Sequence, residues 1–203
     1  LGAAAGVAVG YVMPVLSSYT FRILNGVNLY NAGFACGVLG ILVVPVLSAL
    51  GDRPEGPLLW SKDYDAGLCF LLLALCMCCI VWGLLHSRPP AAWNAWLCLL
   101  RSSGRVPCDY LRDYGPGAVA FNMGVNGLVG TGYLLAVGGT CNGPTVGGVL
   151  TMMAFSAYGK HLRNTAPVML GAWLGAMVLH RSPASPGQQL AALFGTTLAP
   201  VSG

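Results

Sequence analysis

Long apolar stretches alternate with short polar segments along the whole chain. The clearest apolar stretch, residues 66–85, contains no charged side chain. At a rise of about 1.5 Å per residue, a helix of this length spans the roughly 30 Å hydrocarbon core of a bilayer. The pattern therefore predicts a transmembrane helix here. Further apolar stretches lie at residues 1–16, 29–50, 117–158 and 167–179.

The stretch 117–158 is too long for one crossing and is interrupted near its middle. The interruption contains Gly138, Gly139, Asn142, Gly143 and Pro144. Because Pro lacks a backbone N–H and Gly permits a non-helical path, backbone polar groups are freed there. Inside a bilayer each unpaired group costs several kcal/mol, so such a segment must line water or be satisfied by protein. The pattern predicts a broken or re-entrant pair of helices.

The polar segments indicate how the chain is oriented. Residues 51–65 are acidic and contain two prolines, so we expect a loop in water. Residues 86–116 mix Trp93 and Trp96 with four arginines and two acids, which is typical of an interfacial amphipathic helix and a solvated connector. Because Lys and Arg in short loops stay in the cytoplasm, we predict that this connector and the loop after Tyr158 share the cytoplasmic side. The loop 51–65 then faces the opposite side.

Composition agrees with a membrane protein. Hydrophobic residues make up 56% of the chain and charged residues only 8%, with a mean hydropathy of +0.70. Soluble domains carry about a quarter charged residues, so this chain has too little charge to coat a soluble globule. The basic residues are scattered between apolar stretches and form no nucleic-acid-binding face. We predict an all-α, polytopic transmembrane helical bundle in a lipid bilayer, with no nucleic-acid partner.

Two segments, 28–50 and 139–158, share a pattern that suggests internal duplication. Each contains an Asn, five further residues and then Gly-Val-Leu, beginning at Asn31 and at Asn142. Paired Gly- or Pro-interrupted segments of this kind point to the binding site of a transporter. The alternative is chance, because Gly, Val and Leu are abundant in membrane chains. Since both ends lie in apolar stretches, we expect residues 1–203 to be one transmembrane domain within a fragment of a longer, duplicated protein.

Neutral polar side chains in the apolar stretches are the candidate lining of a solute path. They are Asn31, Asn122, Asn126, Asn142 and Thr145. The spacing of Asn122 and Asn126 places both on one helix face, with Asn31 as a candidate partner opposite them. The alternative functions are hydrogen bonding between helices and repair of the interrupted backbone. Lys160 and His161 follow the interrupted pair and are candidates for a gate, or for a positive anchor at the membrane surface.

These features predict a transporter or channel for a small polar solute in a multi-pass protein of the cell membrane. The alternative is a non-transporting membrane scaffold or assembly subunit, including a homo-oligomer. Its helices would pack through Gly-xxx-Gly seams such as Gly6/Gly10 and Gly171/Gly175. The chain offers no nucleophile–base–acid set, and its clustered cysteines have no accompanying His or carboxylate. We therefore predict no enzymatic activity, no cofactor and no metal.

Several longer motifs are distinctive. They are Asn28 to Phe34, Ser103 to Tyr110, Asn122 to Gly124, Gly138 to Gly148, and Gly159 to Asn164. Together they resemble a family of bacterial polytopic membrane proteins, the domain of unknown function 1576. The resemblance implies a longer, duplicated protein of the bacterial inner membrane and names no activity. A looser similarity to the urea-transporter class depends only on the spacing near Asn142.

Overall fold

The computed structural model describes residues 2–25, 29–51, 60–105 and 108–202. Within these ranges the chain forms helices and no β-strand. The α-helices are α1 (Gly2–Ile23), α2 (Asn31–Ala49), α3 (Asp65–Ser87), α4 (Pro89–Leu99), α5 (Tyr110–Ala136), α6 (Gly143–Phe155), α7 (Leu162–Val178) and α8 (Pro186–Gly195), followed by a 3-10 helix, Thr196–Val201.

Helices α1, α2, α3 and α5 are long and apolar enough to cross a membrane. The stretch predicted at 66–85 corresponds to α3, the most apolar of the four, with a mean hydropathy of 2.8. Helix α1 continues beyond its predicted end through a polar patch, where the hydroxyls of Ser18 and Thr20 are satisfied by backbone carbonyls one turn earlier. The predicted all-helical membrane bundle is confirmed, and the protein is a multi-pass membrane protein.

Helices α3 and α5 pack backbone against backbone. A Cβ atom added at Gly83 would lie 2.6 Å from the carbonyl oxygen of Gly117, and one at Gly124 would lie 2.6 Å from that of Cys76. Small residues permit this approach. We call these contacts, together with Gly127, the α3–α5 seam.

The two Gly-xxx-Gly pairs named above do not form close contacts within the described ranges. A Cβ atom at Gly6, Gly10 or Gly171 would meet nothing within 4 Å in the described part of the chain, and the same is true of Gly175. The closely packed glycines of α5 instead lie seven and three residues apart, at 117, 124 and 127. That spacing keeps them on one helix face, so a search for pairs four residues apart misses them.

The main apolar core lies where α3, α5, α6, α7 and α8 meet. Its buried members include Leu72, Cys76, Leu134, Met152 and Leu193. Helix α5 is central. Of its apolar 18-residue segment, 61% is buried, compared with 6% for that of α1 and 11% for that of α2. The hairpin of α1 and α2 is therefore peripheral and exposes most of its apolar surface.

Helix α4 packs on α5 through aromatic rings. The ring centroids of Trp96 and Phe121 lie 5.1 Å apart in an edge-on arrangement, and Trp93 lies 5.1 Å from Trp96 on the more exposed side. The helix expected within residues 86–116 is thus present, and one of its tryptophans is buried against the bundle. Its interfacial position stays a prediction.

The loops meet in two groups at opposite ends of α5. At one end, Trp60 donates a hydrogen bond to the Thr140 hydroxyl at 2.7 Å. At the other, the backbone N–H of Tyr110 donates to the carbonyl of Ala157 at 3.1 Å. The connector before α5 and the loop after α6 therefore share one end, as predicted. Residues 52–59 of the acidic loop lie outside the described residues, and the cytoplasmic assignment stays a prediction.

Candidate functional site

The turn between α6 and α7 carries two buried basic side chains. Lys160 and His161 each have 0% of their surface exposed. The turn fits because Gly159 meets Gly104 backbone to backbone, and a Cβ atom at Gly159 would lie 2.4 Å from the Gly104 carbonyl oxygen. A side chain at either glycine would push the turn away from the connector.

Asn122 on α5 holds this turn at both of its ends. Its amide Nδ2 donates to the carbonyl oxygens of Ser156 and Lys160, both at 2.8 Å. Its Oδ1 accepts from the indole Nε1 of Trp96 at 3.1 Å. All its hydrogen-bonding capacity is thus directed at protein groups, and it determines where Lys160 lies.

Asn126 extends the same network toward α7. Its Nδ2 donates to the carbonyl oxygen and the Oδ1 of Asn122, at 3.1 and 3.2 Å. Its Oδ1 accepts from the Thr165 hydroxyl at 2.9 Å. The predicted common face of Asn122 and Asn126 is confirmed, and the two amides link α5 to α6 and α7.

The side-chain amine of Lys160 is surrounded by hydroxyls and aromatic rings. Its Nζ contacts the hydroxyl of Tyr30 and lies 2.6 Å from the Oγ1 of Thr196. The ring centroids of Tyr30 and Phe155 lie 4.2 and 5.8 Å from Nζ. Burial lowers the pKa of Lys160 to about 6, and burial also raises the pKa of the Tyr30 phenol. Lys160 is therefore largely neutral at pH 7, whereas Tyr30 keeps its proton.

No described carboxylate forms an ion pair with Lys160. Asp65 accepts from the backbone N–H of Cys141 at 2.6 Å, and Asp109 caps the start of α5. Asp63 and Asp113 are exposed. Within the described ranges, the acidic side chains therefore either bond to other groups or face solvent.

His161 has one ring nitrogen that is satisfied and one that is not. Its Nε2 lies 3.0 Å from the carbonyl oxygen of Ser102, whose hydroxyl lies 2.7 Å from that of Tyr110. Its Nδ1 is buried without a hydrogen-bond partner among the described residues. Burial lowers the pKa of His161. The neutral ring then donates from Nε2 and leaves Nδ1 as an unused acceptor.

A pocket of about 730 Å³ lies on the other side of Tyr30 and Phe155. These two rings, with centroids 4.5 Å apart, line the pocket and also contact Lys160 Nζ. They therefore separate the pocket from the buried amine. Polar groups in the lining come from Ser17, Tyr30, Asn31, Thr151 and Thr197, and bulky apolar groups come from Leu29, Phe34, Phe155 and Phe194.

The interrupted segment before α6 is satisfied by protein groups. Asn142 caps α6 by accepting from the backbone N–H of Thr145 at 3.3 Å, and Thr145 Oγ1 accepts from the backbone N–H of Asn142 at 2.8 Å. Gln189 accepts from the backbone N–H of Thr140 at 3.2 Å. This geometry fits the backbone-repair alternative for Asn142 and Thr145.

The predicted path residues lie in three separate places. Asn122 and Asn126 hold the Lys160 turn, whereas Asn142 and Thr145 lie at the other end of the 13-residue α6, about 20 Å away. Asn31 does not face Asn122. It pairs instead with α1, accepting from the Thr20 hydroxyl at 2.7 Å, because α1 and α2 form their own hairpin.

The two asparagines of the suspected repeat also have different roles. Asn142 is the N-cap of α6. Asn31 is the first residue of α2, after the N-cap Tyr30. Both open a helix, but only the Asn142 side chain caps one.

The structure adds partners of Lys160 that sequence reasoning did not single out. Tyr30 and Thr196 contact its amine, and Asn164 holds its turn by donating to the Gly159 carbonyl at 2.8 Å. Tyr30 and Asn164 do lie in the motifs that carry the family resemblance, so those motifs were the available signal. Thr196 had no such signal.

Metal binding has no obvious site in the described ranges. No three His, Cys, Asp or Glu side chains come close enough there to hold an ion. The cysteines described there are unpaired, and Cys69, Cys76 and Cys141 are buried.

Comparison with known proteins identifies the family. A family model described as "Protein of unknown function (DUF1576)" matches residues 1–49 and 89–203. Helix α3 and the loop before it fall between the two matched parts. No curated protein and no solved structure matches the chain. The chain therefore belongs to the family of proteins of unknown function DUF1576.

Proposed function

We propose that this protein carries a small polar solute across the bacterial inner membrane, as a passive or secondary transporter. The observation behind the proposal is the buried pair Lys160 and His161, which lies beside a pocket of about 730 Å³. Buried ionisable groups with shifted pKa values are costly and cluster at functional sites.

The cost of burial is what separates transport from a merely structural role. A buried amine without a carboxylate partner lowers stability, and an apolar side chain of similar size would avoid that loss. Lys160 has only hydroxyl and ring partners in the described chain. A buried group that lowers the free energy of unfolding in this way is retained for a function other than stability.

The predicted path residues take distinct parts in this proposal. Asn31 lines the pocket, and Asn122 and Asn126 position the Lys160 turn. Asn142 and Thr145 start α6, which at about 20 Å is too short to cross a bilayer. We infer that α6 is the short second helix of an interrupted pair, with the Asn142 cap at one end and the Lys160 turn at the other.

A membrane scaffold is the second candidate function. Helices α1 and α2 expose large apolar side chains, with Tyr11 85% and Ile41 76% exposed. Lipid, another part of the protein or a second copy could cover them. Neither candidate assigns an enzymatic reaction to the chain.

Solute flux into proteoliposomes tests the proposal. The complete protein would be reconstituted, and uptake of urea, glycerol and benzenesulfonate would be followed by light scattering or isotope. We expect flux of at least one of these above that of protein-free vesicles. We further expect Lys160→Met to lower this flux, because it removes the buried amine beside the pocket, and Asn142→Ala to lower it, because it removes the N-cap of α6.

Asn94→Ala on the exposed face of α4 is the matched control and should transport normally. Vesicles containing correctly folded protein that pass none of the three solutes would contradict transport and favour the scaffold. Normal flux in both Lys160→Met and Asn142→Ala would contradict the assigned site.

A further inference from the structure

Lys160 is a buried amine that lacks a counter-charge in the described chain. Its Nζ is met by the hydroxyls of Tyr30 and Thr196 and by the ring of Phe155. Thr196 already donates its own proton to the Leu193 carbonyl, so it offers Lys160 only an acceptor. Such a surrounding tolerates a neutral amine, and it tolerates an ammonium once an anion is close by.

The pocket next to this amine has the size and lining of a site for a small organic molecule. Its volume of about 730 Å³ lies in the usual range for ligand pockets. Phe34 and Phe194 offer apolar surface, and Asn31 and Thr151 add polar atoms whose donors already bond to Ser17 and to the Gly147 carbonyl. No acidic or basic side chain lines it, and the Lys160 amine lies behind two of its lining rings, 4.2 Å from the centroid of Tyr30 and 5.8 Å from that of Phe155.

We propose that this pocket binds a small organic monoanion with an apolar body, such as a carboxylate or sulfonate, and that Lys160 takes up one proton as the anion binds. The Nζ lone pair accepts a proton from solvent, and the resulting ammonium pairs with the anion. No other bond forms or breaks. Movement of Tyr30 or Phe155 brings the anion and the ammonium into contact.

The titratable groups around Lys160 support this assignment. Tyr30 faces it from the start of α2, and burial keeps its phenol protonated. His161 follows it in the same turn, but its ring is directed to Ser102. Thr196 after α8, Phe155 at the end of α6 and Asn122 on α5 do not titrate.

The inference rests on the proposed transport function only for its final step. If the protein is a carrier, each anion crosses together with one proton, so transport is electroneutral and driven by a pH gradient. Binding and proton uptake can be measured without any transport.

Lysine NMR gives a direct test, because the chain contains only two lysines, Lys62 and Lys160. Lys62 is exposed, so Lys62→Arg leaves one labelled signal without disturbing the site. The protein, with its lysines isotopically labelled, would be titrated with pH in nanodiscs. Phenylacetate and benzenesulfonate are the anionic probes, and phenylacetamide is the neutral control.

We expect the pKa of Lys160 to rise by at least about one pH unit with either anion and to stay unchanged with phenylacetamide. An unchanged pKa with both anions would overturn the proposal. An ordinary lysine pKa before any anion is added would overturn it as well, because the amine would then already be charged.

Two variants and a flux measurement separate this inference from the proposed function. Lys160→Met should lose anion binding, and Lys160→Arg should bind the anion without proton uptake. With a pH dye inside proteoliposomes, benzenesulfonate entry should acidify the interior. If urea or glycerol crosses the membrane but neither anion raises the pKa of Lys160, the anion site is contradicted and the transport proposal is not. If an anion raises the pKa of Lys160 but no solute crosses, the anion site is confirmed and the transport proposal is contradicted.

Discussion

Asn122 donates a hydrogen bond of 2.8 Å to the carbonyl oxygen of Lys160, which lies 38 residues further along the chain. The same amide also bonds to Ser156 at the start of the turn. One side chain on the central helix α5 therefore closes the turn that carries the buried amine. The position of Lys160 depends on α5 as much as on its own neighbours in sequence.

Replacing Asn122 should strongly destabilise the protein. Asn122→Ala leaves two carbonyl oxygens and the indole N–H of Trp96 without their partner, and each unsatisfied buried group costs about 1–3 kcal/mol. We expect the free energy of unfolding in detergent to fall by about 2–5 kcal/mol. Asn94→Ala, at an exposed position, should change it by less than about 0.5 kcal/mol. Equal stability of the two variants would show that the turn does not depend on Asn122.

The α3–α5 seam should not accept even a methyl group. In Gly124→Ala the new Cβ would lie 2.6 Å from the carbonyl oxygen of Cys76. Moving one backbone away from another should cost about 1–3 kcal/mol, measured by thermal unfolding in detergent. Gly132→Ala on the same helix is the control, because nothing lies within 4 Å of that position. It should be neutral or stabilising by up to about 1 kcal/mol, and a stable Gly124→Ala protein would argue against the seam.

Lys160 should make stability depend on pH. The folded chain loses the Lys160 proton at a pKa of about 6, whereas an unfolded chain keeps it up to about pH 10.4. Between these values the unfolded state binds more protons, so the free energy of unfolding rises with pH, by up to about 1.4 kcal/mol per pH unit. Below the lower value this contribution stays constant at its least favourable level.

The Lys160→Met variant isolates that effect. Its free energy of unfolding, subtracted from that of the unchanged protein across the neutral to alkaline range, should leave this rising difference. Other titrating groups cancel in the subtraction. Two curves that run parallel across the range would mean that Lys160 titrates normally in the folded state.

Topology can be checked at two exposed positions at opposite ends of α5. Cysteines would replace Lys62 and Arg163 one at a time, in a protein whose exposed Cys36, Cys78 and Cys98 are alanine. A membrane-impermeant maleimide should label position 163 from the cytoplasmic side and position 62 from the other side. Labelling of both from one side would contradict the two-ended arrangement of the loops.

Features set by local composition were predictable from the sequence. The absence of charge over residues 66–85 is enough to predict α3, and Gly138 with Pro144 is enough to predict an interruption before α6. The shared face of Asn122 and Asn126 follows from helix geometry alone. In each case the physical cause lies within one segment.

Features that depend on which segments meet were not predictable. Asn31 and Asn142 occupy similar motifs, yet one pairs with α1 and the other caps α6. Lys160 lies in a short basic turn typical of a surface anchor, but the contact of Gly104 with Gly159 draws it into the interior. The residues around Lys160 predict a turn at the end of a helix. They do not show that the connector before α5 packs over that turn and buries the lysine.

The α3–α5 seam has a mechanical consequence. At Gly83 and Gly124 no side chain separates the two backbones, so a shift of either helix there must be followed by the other. The α1–α2 hairpin is not part of this pair: the backbone N–H groups of Leu29 and Tyr30 donate to the carbonyl and the hydroxyl of Thr197, in the 3-10 helix after α8. Because Tyr30 directly precedes α2 and its ring covers the Lys160 amine, a displacement of the hairpin would change how that amine is covered.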